Sequence, residues 1–220
     1  MPIRVLLVDD DPLVRSGLRY LSDSADDLTV VAEAGDGDEA VAAVREHQPD
    51  VVLMDLRLPR VDGITATAQV RALPHPPHVI ALTTWDVDDA VLRSLEAGAS
   101  GFLLKSADPK DILRAVRSVM AGDAVLSPRS TRQLLDHLRA DDTTGQRRQA
   151  EQVVGSLTDR EREVCAEVGR GLSNAEIAKV LYIADATVKA HLSTIQTKLG
   201  VRNRVEIAVL AERAGLLRPS

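Results

Sequence analysis

Ile3-Arg-Val-Leu-Leu-Val-Asp-Asp-Asp11 is the stretch that decides how the chain is read: six mostly apolar residues closed abruptly by three carboxylates. An apolar run of that length, without polar alternation, belongs in a strand covered on both faces. Working outward, Thr29 to Ala34, Val51 to Met54, Val79 to Thr83 and Gly101 to Leu104 are short runs of the same kind. Between them, helical spacing fills Pro12 to Ser22, Gly37 to His47, Gly63 to Ala72, Val87 to Ala97 and Asp108 to Ala121. Five strands alternating with five helices predict a parallel sheet with helices on both faces, an α/β fold.

The 220 residues leave room for a second, smaller domain. With aromatics at only 2%, the core must be built from Val, Leu, Ile and Ala. Ser127-Pro128 is a helix-start signal for a helix to about Arg139, and the polar stretch Ala140 to Gln152 reads as an interdomain linker. From Leu157 the spacing is helical throughout, with helices expected over 159–170, 174–182, 186–199 and 203–214. Thr158-Asp-Arg-Glu161 and Ser173-Asn-Ala-Glu176 have the form of capping boxes, and Gly171 and Gly200 are placed to end helices. The expected organisation is therefore residues 1–121, a linker over 122–155 containing a helix, and a small all-α four-helix domain over 156–220.

In a flavodoxin-like strand order, the first and third strands are neighbours at the switch point where ligands bind. Asp9 and Asp10 follow the first strand and Asp55 ends the third, so three carboxylates crowd one crevice. Such crowding is costly unless a cation offsets it, and oxygen-only ligands suit Mg²⁺. Thr83 and Lys105 end the fourth and fifth strands and bring a hydroxyl and a cation to the same rim. The set suits phosphoryl transfer to the Asp55 carboxylate. Asp9-Asp10, Asp55-Leu-Arg-Leu-Pro59, Asp62-Gly63, Thr83 and Lys105 together resemble the receiver domains of bacterial two-component systems, over about residues 1–121.

That resemblance implies that Asp55 accepts phosphate from a sensor histidine kinase. It implies that Asp10, Asp55 and the carbonyl of Arg57 bind Mg²⁺ directly, with Asp9 acting through water. Thr83 would contact the phosphoryl group, Lys105 would offset its charge, and Phe102 would be a rotating switch aromatic. The sequence departs from many receivers at Lys105-Ser106, where Pro often follows the Lys. Arg57 and Trp85, two residues beyond Asp55 and Thr83, are expected to flank the entrance for hydrolytic water and to slow phosphoryl loss.

Net charge is −6 overall, but from Ser156 onward ten Lys and Arg face eight Asp and Glu, leaving −8 for the remainder. On the helix at 186–199, Val188, Leu192, Ile195 and Leu199 must face inward, leaving Ala186, Lys189, Ala190, Ser193 and Thr197 as a small, polar outer face. Leu157 to Glu163, Gly171 to Ala178, Thr187 to His191 and Lys198 to Gly200 resemble the LuxR-type helix-turn-helix, and the pairing with a receiver resembles the NarL/FixJ subfamily. By that likeness Lys189, Ala190 and Ser193 face base edges of double-stranded DNA. Asn174, Thr187, His191 and Lys198 hold phosphates or fix orientation. Ala184 occupies a position where the family often has a Ser cap, so Asp185 is expected to cap the helix instead. Val205 and Val209 on the final helix match the family's pairing surface.

The chain is thus expected to be a transcriptional regulator that forms a homodimer when phosphorylated. No apolar stretch approaches the roughly 20 residues of a membrane span, no secretory signal is read, and the lone Cys165 fits a reducing, cytoplasmic setting as a core residue. Two other classes compete. A phosphohydrolase using Asp55 would need a second acid two residues on, where Arg57 stands. A protein-interaction relay would take up phosphate without binding DNA.

Overall fold

The computed structural model describes residues 1–84, 88–126 and 144–217. The helix expected to start at Ser127-Pro128 and the Trp85 side chain lie outside the described residues. The chain divides into two compact units, Met1–Met120 with Val125–Thr131, and Ala121–Ala124 with Arg132–Ser220.

In the first unit, strands β1 (Ile3–Val8), β2 (Leu28–Ala34), β3 (Val51–Asp55), β4 (His78–Thr83), β5 (Gly101–Leu104) and β6 (Val125–Leu126) form one sheet. Its order is β2-β1-β3-β4-β5-β6, and every pair is parallel. Helices α1 (Pro12–Asp23), α2 (Gly37–His47), α3 (Gly63–Arg71), α4 (Asp88–Glu96) and α5 (Pro109–Ala121) connect the strands. The two-residue period of β1 sorts its side chains between two cores. Val5 and Leu7 join Val51, Leu53, Ile80 and Leu82 against Leu18 of α1 and Val116 of α5. Leu6 and Val8 join Val52 and Met54 against Val44 of α2 and Val70 of α3. The predicted α/β class and β1–β3 adjacency both hold, and β6 adds a strand too short to read from sequence.

The second unit is helical, with α6 (Thr144–Val154), α7 (Asp159–Gly169), α8 (Asn174–Leu181), α9 (Asp185–Leu199) and α10 (Arg204–Arg213). Part of the stretch read as linker is therefore helix. Ala150 and Val154, four residues apart, are buried and supply the apolar stripe, while Arg147 Nε meets Glu151 Oε1 at 3.1 Å on the polar side. Both capping boxes form, at Thr158 with Glu161 and at Ser173 with Glu176. Val164, Cys165, Ile177, Val188, Leu192, Ile195 and Ile207 share one core. Burial pushes the Cys165 thiol up to about 11, as befits an inert core residue. Among the described residues, no helix is long and apolar enough to cross a membrane.

Candidate functional site

Parallel pairing of β1 with β3 sets Val8 beside Met54, so the residues that follow each strand emerge at one edge. Asp9 and Asp55 are buried there and Asp10 is exposed, and one oxygen from each of the three lies within 4.8 Å of the others. Lys105 enters from the end of β5, where its backbone N–H donates to the Thr83 carbonyl at 2.7 Å. Its Nζ donates to Asp55 Oδ2 at 2.7 Å and stands 2.5 Å from Asp9 Oδ2. One ammonium thus bridges both buried carboxylates. Thr83 is buried at the same edge.

The charges do not balance: three carboxylates face one ammonium. Burial pushes the Asp9 carboxyl up despite the pull of Lys105 and the Asp11 N–H, and repulsion from Asp55 adds to the rise. Burial would also depress the Lys105 ammonium, but Asp55 and Asp9 outweigh it and raise its pKa. An all-oxygen set with surplus negative charge fits a small divalent cation.

The loop after Asp55 is fixed by parts that carry no chemistry themselves. Arg57 N–H donates to Asp55 Oδ1 at 3.1 Å, while the Arg57 side chain is exposed. Asp62 caps α3 by accepting from the N–H groups of Ile64 and Thr65, both at 3.0 Å. Gly63 is required here, because a Cβ would stand 1.9 Å from the Asp55 carbonyl oxygen. Asp11 does the corresponding work for α1, accepting from Leu13 N–H at 2.8 Å. The sequence reading missed Asp36, which is buried and takes the N–H groups of Arg60 and Val61 at 2.9 and 3.0 Å. The neighbouring Gly37, where a Cβ would stand 2.2 Å from the Val61 carbonyl oxygen, was the available signal of a tight approach. Phe102 is wholly buried on β5, in register with Ala81 and Leu126.

In the second unit, Val188, Leu192, Ile195 and Leu199 of α9 face inward as expected. Thr187, Lys189, Ala190 and Ser193 are exposed and His191 is partly so. Other expected contacts are already committed. Lys198 Nζ reaches Glu161 Oε2 at 2.7 Å and Oε1 at 2.9 Å, and with the Thr158 backbone it holds the Glu161 carboxyl down to about 2. Asn174 is buried, its amide donating to the Ala121 carbonyl at 2.6 Å and accepting from Arg204 Nη1 at 2.6 Å. Asp185 does not cap α9. Ala184 holds that place with no side-chain bond, and Asp185 sits in the first turn, 3.7 Å from Lys189 Nζ. Val205 is buried and Val209 partly buried on α10.

An acidic pocket at the β1–β3 edge and a compact helical unit with a small polar helix face define a receiver with a helix-turn-helix output. The comparisons agree. Residues 5–117 match the response regulator receiver domain family, and residues 155–211 match the bacterial regulatory proteins of the luxR family. The chain belongs to the two-component response regulators that carry a LuxR-type DNA-binding domain and regulate transcription. It is 35% identical over 208 residues to the nitrate/nitrite response regulator protein NarL of Escherichia coli strain K12, covering 94% of each chain. It is 38% identical over 216 residues to the transcriptional regulatory protein LnrK of Bacillus subtilis strain 168, covering 97% of this chain and 98% of that one. The crystal structure of response regulator ChrA, from a heme-sensing two-component system, is similar with a TM-score of 0.52 and 39% identity over 98% of both chains.

Proposed function

We propose that Asp55 is the phosphoacceptor of this response regulator, and that its phosphorylation by a sensor histidine kinase promotes dimerisation and promoter binding. The observation that supports this most is the buried Asp55 carboxylate beside buried Asp9, with Lys105 between them. An Asp55 oxygen forms its bond to phosphorus as the phosphorus–nitrogen bond of the donor phosphohistidine breaks, and the histidine leaves. Mg²⁺ would be held by Asp10, Asp55 and the Arg57 carbonyl, with Asp9 through water, and when bound it supplies charge neutralisation at the phosphoryl oxygens. Lys105 exchanges its bond to Asp55 for one to the new phosphoryl group, and the Thr83 hydroxyl turns toward it.

Drawing Thr83 inward frees space for Phe102 to turn, which alters the surface around β5 and shifts a two-state equilibrium. Moving that equilibrium from 1:99 to 99:1 takes about 5.5 kcal/mol, more than one phosphoryl group supplies without dimer contacts. Lys189, Ala190 and Ser193 read base edges, while Thr187 and His191 hold backbone. Asn174 and Lys198 serve instead to brace the helices, given their internal partners. Val209 and its neighbours on α10 remain the proposed pairing surface, and the setting is cytoplasmic.

DNA-selection sequencing with phosphorylated and unphosphorylated protein, at one stated salt concentration, tests the reading. Phosphorylated protein should enrich a two-fold-symmetric site at least about tenfold more strongly, with a doubled mass in solution. Equal enrichment and equal mass in both states would refute it.

A further inference from the structure

We propose that Tyr182 is a DNA-backbone contact, its phenol donating to a phosphodiester beside the groove that α9 enters. The inference rests on the reading of α9 as the recognition helix and adds a residue to it. Tyr182 ends α8 in the left-handed conformation, with φ 54° and ψ 46°. The turn closes by backbone bonds, with Ile183 N–H donating to the Ala178 carbonyl at 3.0 Å and Tyr182 N–H to the Lys179 carbonyl at 3.4 Å. Helices usually close this way on glycine, because a Cβ is disfavoured there. Within the helical unit the chain follows that rule, with Gly171 after α7 at φ +82° and Gly200 after α9 at φ +67°, and Gln48 after α2, at φ 42°, is the other left-handed residue with a side chain among the described residues. At position 182 a bulky aromatic replaces it.

Packing does not explain the choice. Ile183 docks on the helical core and needs the turn, but the Tyr182 side chain is 95% exposed and buries almost nothing. Exposure alone would carry little, since Tyr20 is 81% exposed within α1 with an ordinary backbone. Location supplies the rest. Tyr182 precedes the Ala184 cap of α9 by two residues, and Ala184 to Thr187 are exposed without a break. A recognition helix enters the major groove with its N-terminal residues foremost, so the turn before it arrives at the sugar-phosphate rim. Arg160 steadies that turn, its Nη2 donating to the Leu181 carbonyl at 2.7 Å. A neutral phenol can donate to a phosphate oxygen there without adding to the charge term, and its ring can rest on deoxyribose. A residue that breaks a local rule with no packing return is where function is expected.

The test uses the full chain and a fluorescein-labelled, mixed-sequence DNA duplex of about 30 base pairs, long enough for two half-sites one turn apart. Binding is read by anisotropy at two salt concentrations. Tyr182→Phe should weaken binding about five- to tenfold, with the slope against salt unchanged. Tyr182→Gly should bind as weakly while raising the unfolding temperature of the helical unit, a combination that a structural tyrosine would not produce. Wild-type binding by Tyr182→Phe and Tyr182→Gly overturns the proposal. Lys189→Ala in the same assay separates the two ideas: its loss of binding upholds α9 as the recognition helix, whereas unchanged binding removes that reading itself.

Discussion

At the scale of single residues, the receiver pocket works because side chains that dislike each other are forced together by strand ends. Asp9 and Asp55 face one another because β1 and β3 pair directly, and Lys105 offsets only part of their charge. These positions were legible in the sequence, since each residue directly follows or ends an apolar run. Asp36 was not legible, because its task is to bind N–H groups of residues 60 and 61, far along the chain. His78 at the start of β4 shows a further burial effect. Burial first, and repulsion from Arg71 second, hold its imidazole down to about 4, while an unfolded chain titrates near 6.5. The folded state therefore refuses a proton that the unfolded state accepts, and stability present above pH 6.5 drains as pH falls toward 4. The loss is on the order of 3 kcal/mol. His78→Gln should lose correspondingly less stability over that interval, which urea unfolding above and below it would reveal.

At the scale of elements, the helix ends read true where the capping side chain and its partner lie within four residues. Thr158 and Ser173 both close their boxes as their spacing indicates. Thr158→Ala should cost about 1 kcal/mol and lower the thermal transition of the helical unit by about 5 °C, measurable by calorimetry. Part of what failed to read depends on distant partners, and part, as at Asp185 and Tyr182, on local backbone geometry. Lys198 was expected to hold DNA phosphate or fix orientation, and in the structure it is exposed and paired with Glu161 on α7, while α6 looked like linker because only Ala150 and Val154 are fully buried among its described residues. Asn174 is occupied through Ala121 and Arg204 in the same way. Tyr182 was read as the last helical residue, since nothing local announces a left-handed tyrosine.

At the scale of the whole molecule, an acidic sensing unit is joined to a slightly basic reading unit, and each has its own core. Metal should act on the first alone. A divalent ion at a hundred times its dissociation constant stabilises a binding unit by about 2.7 kcal/mol. Mg²⁺ should accordingly raise the receiver transition in calorimetry and leave the helical one in place. Asp10→Asn, a change at an exposed residue, should remove most of that gain, and an undiminished shift would remove Asp10 from the ligand set. Incubation with acetyl phosphate and Mg²⁺, followed by intact-protein mass measurement, should show the mass of one phosphoryl group on the wild-type chain and none on Asp55→Asn. Equal phosphorylation of Asp55→Asn would contradict the assignment of Asp55 as acceptor.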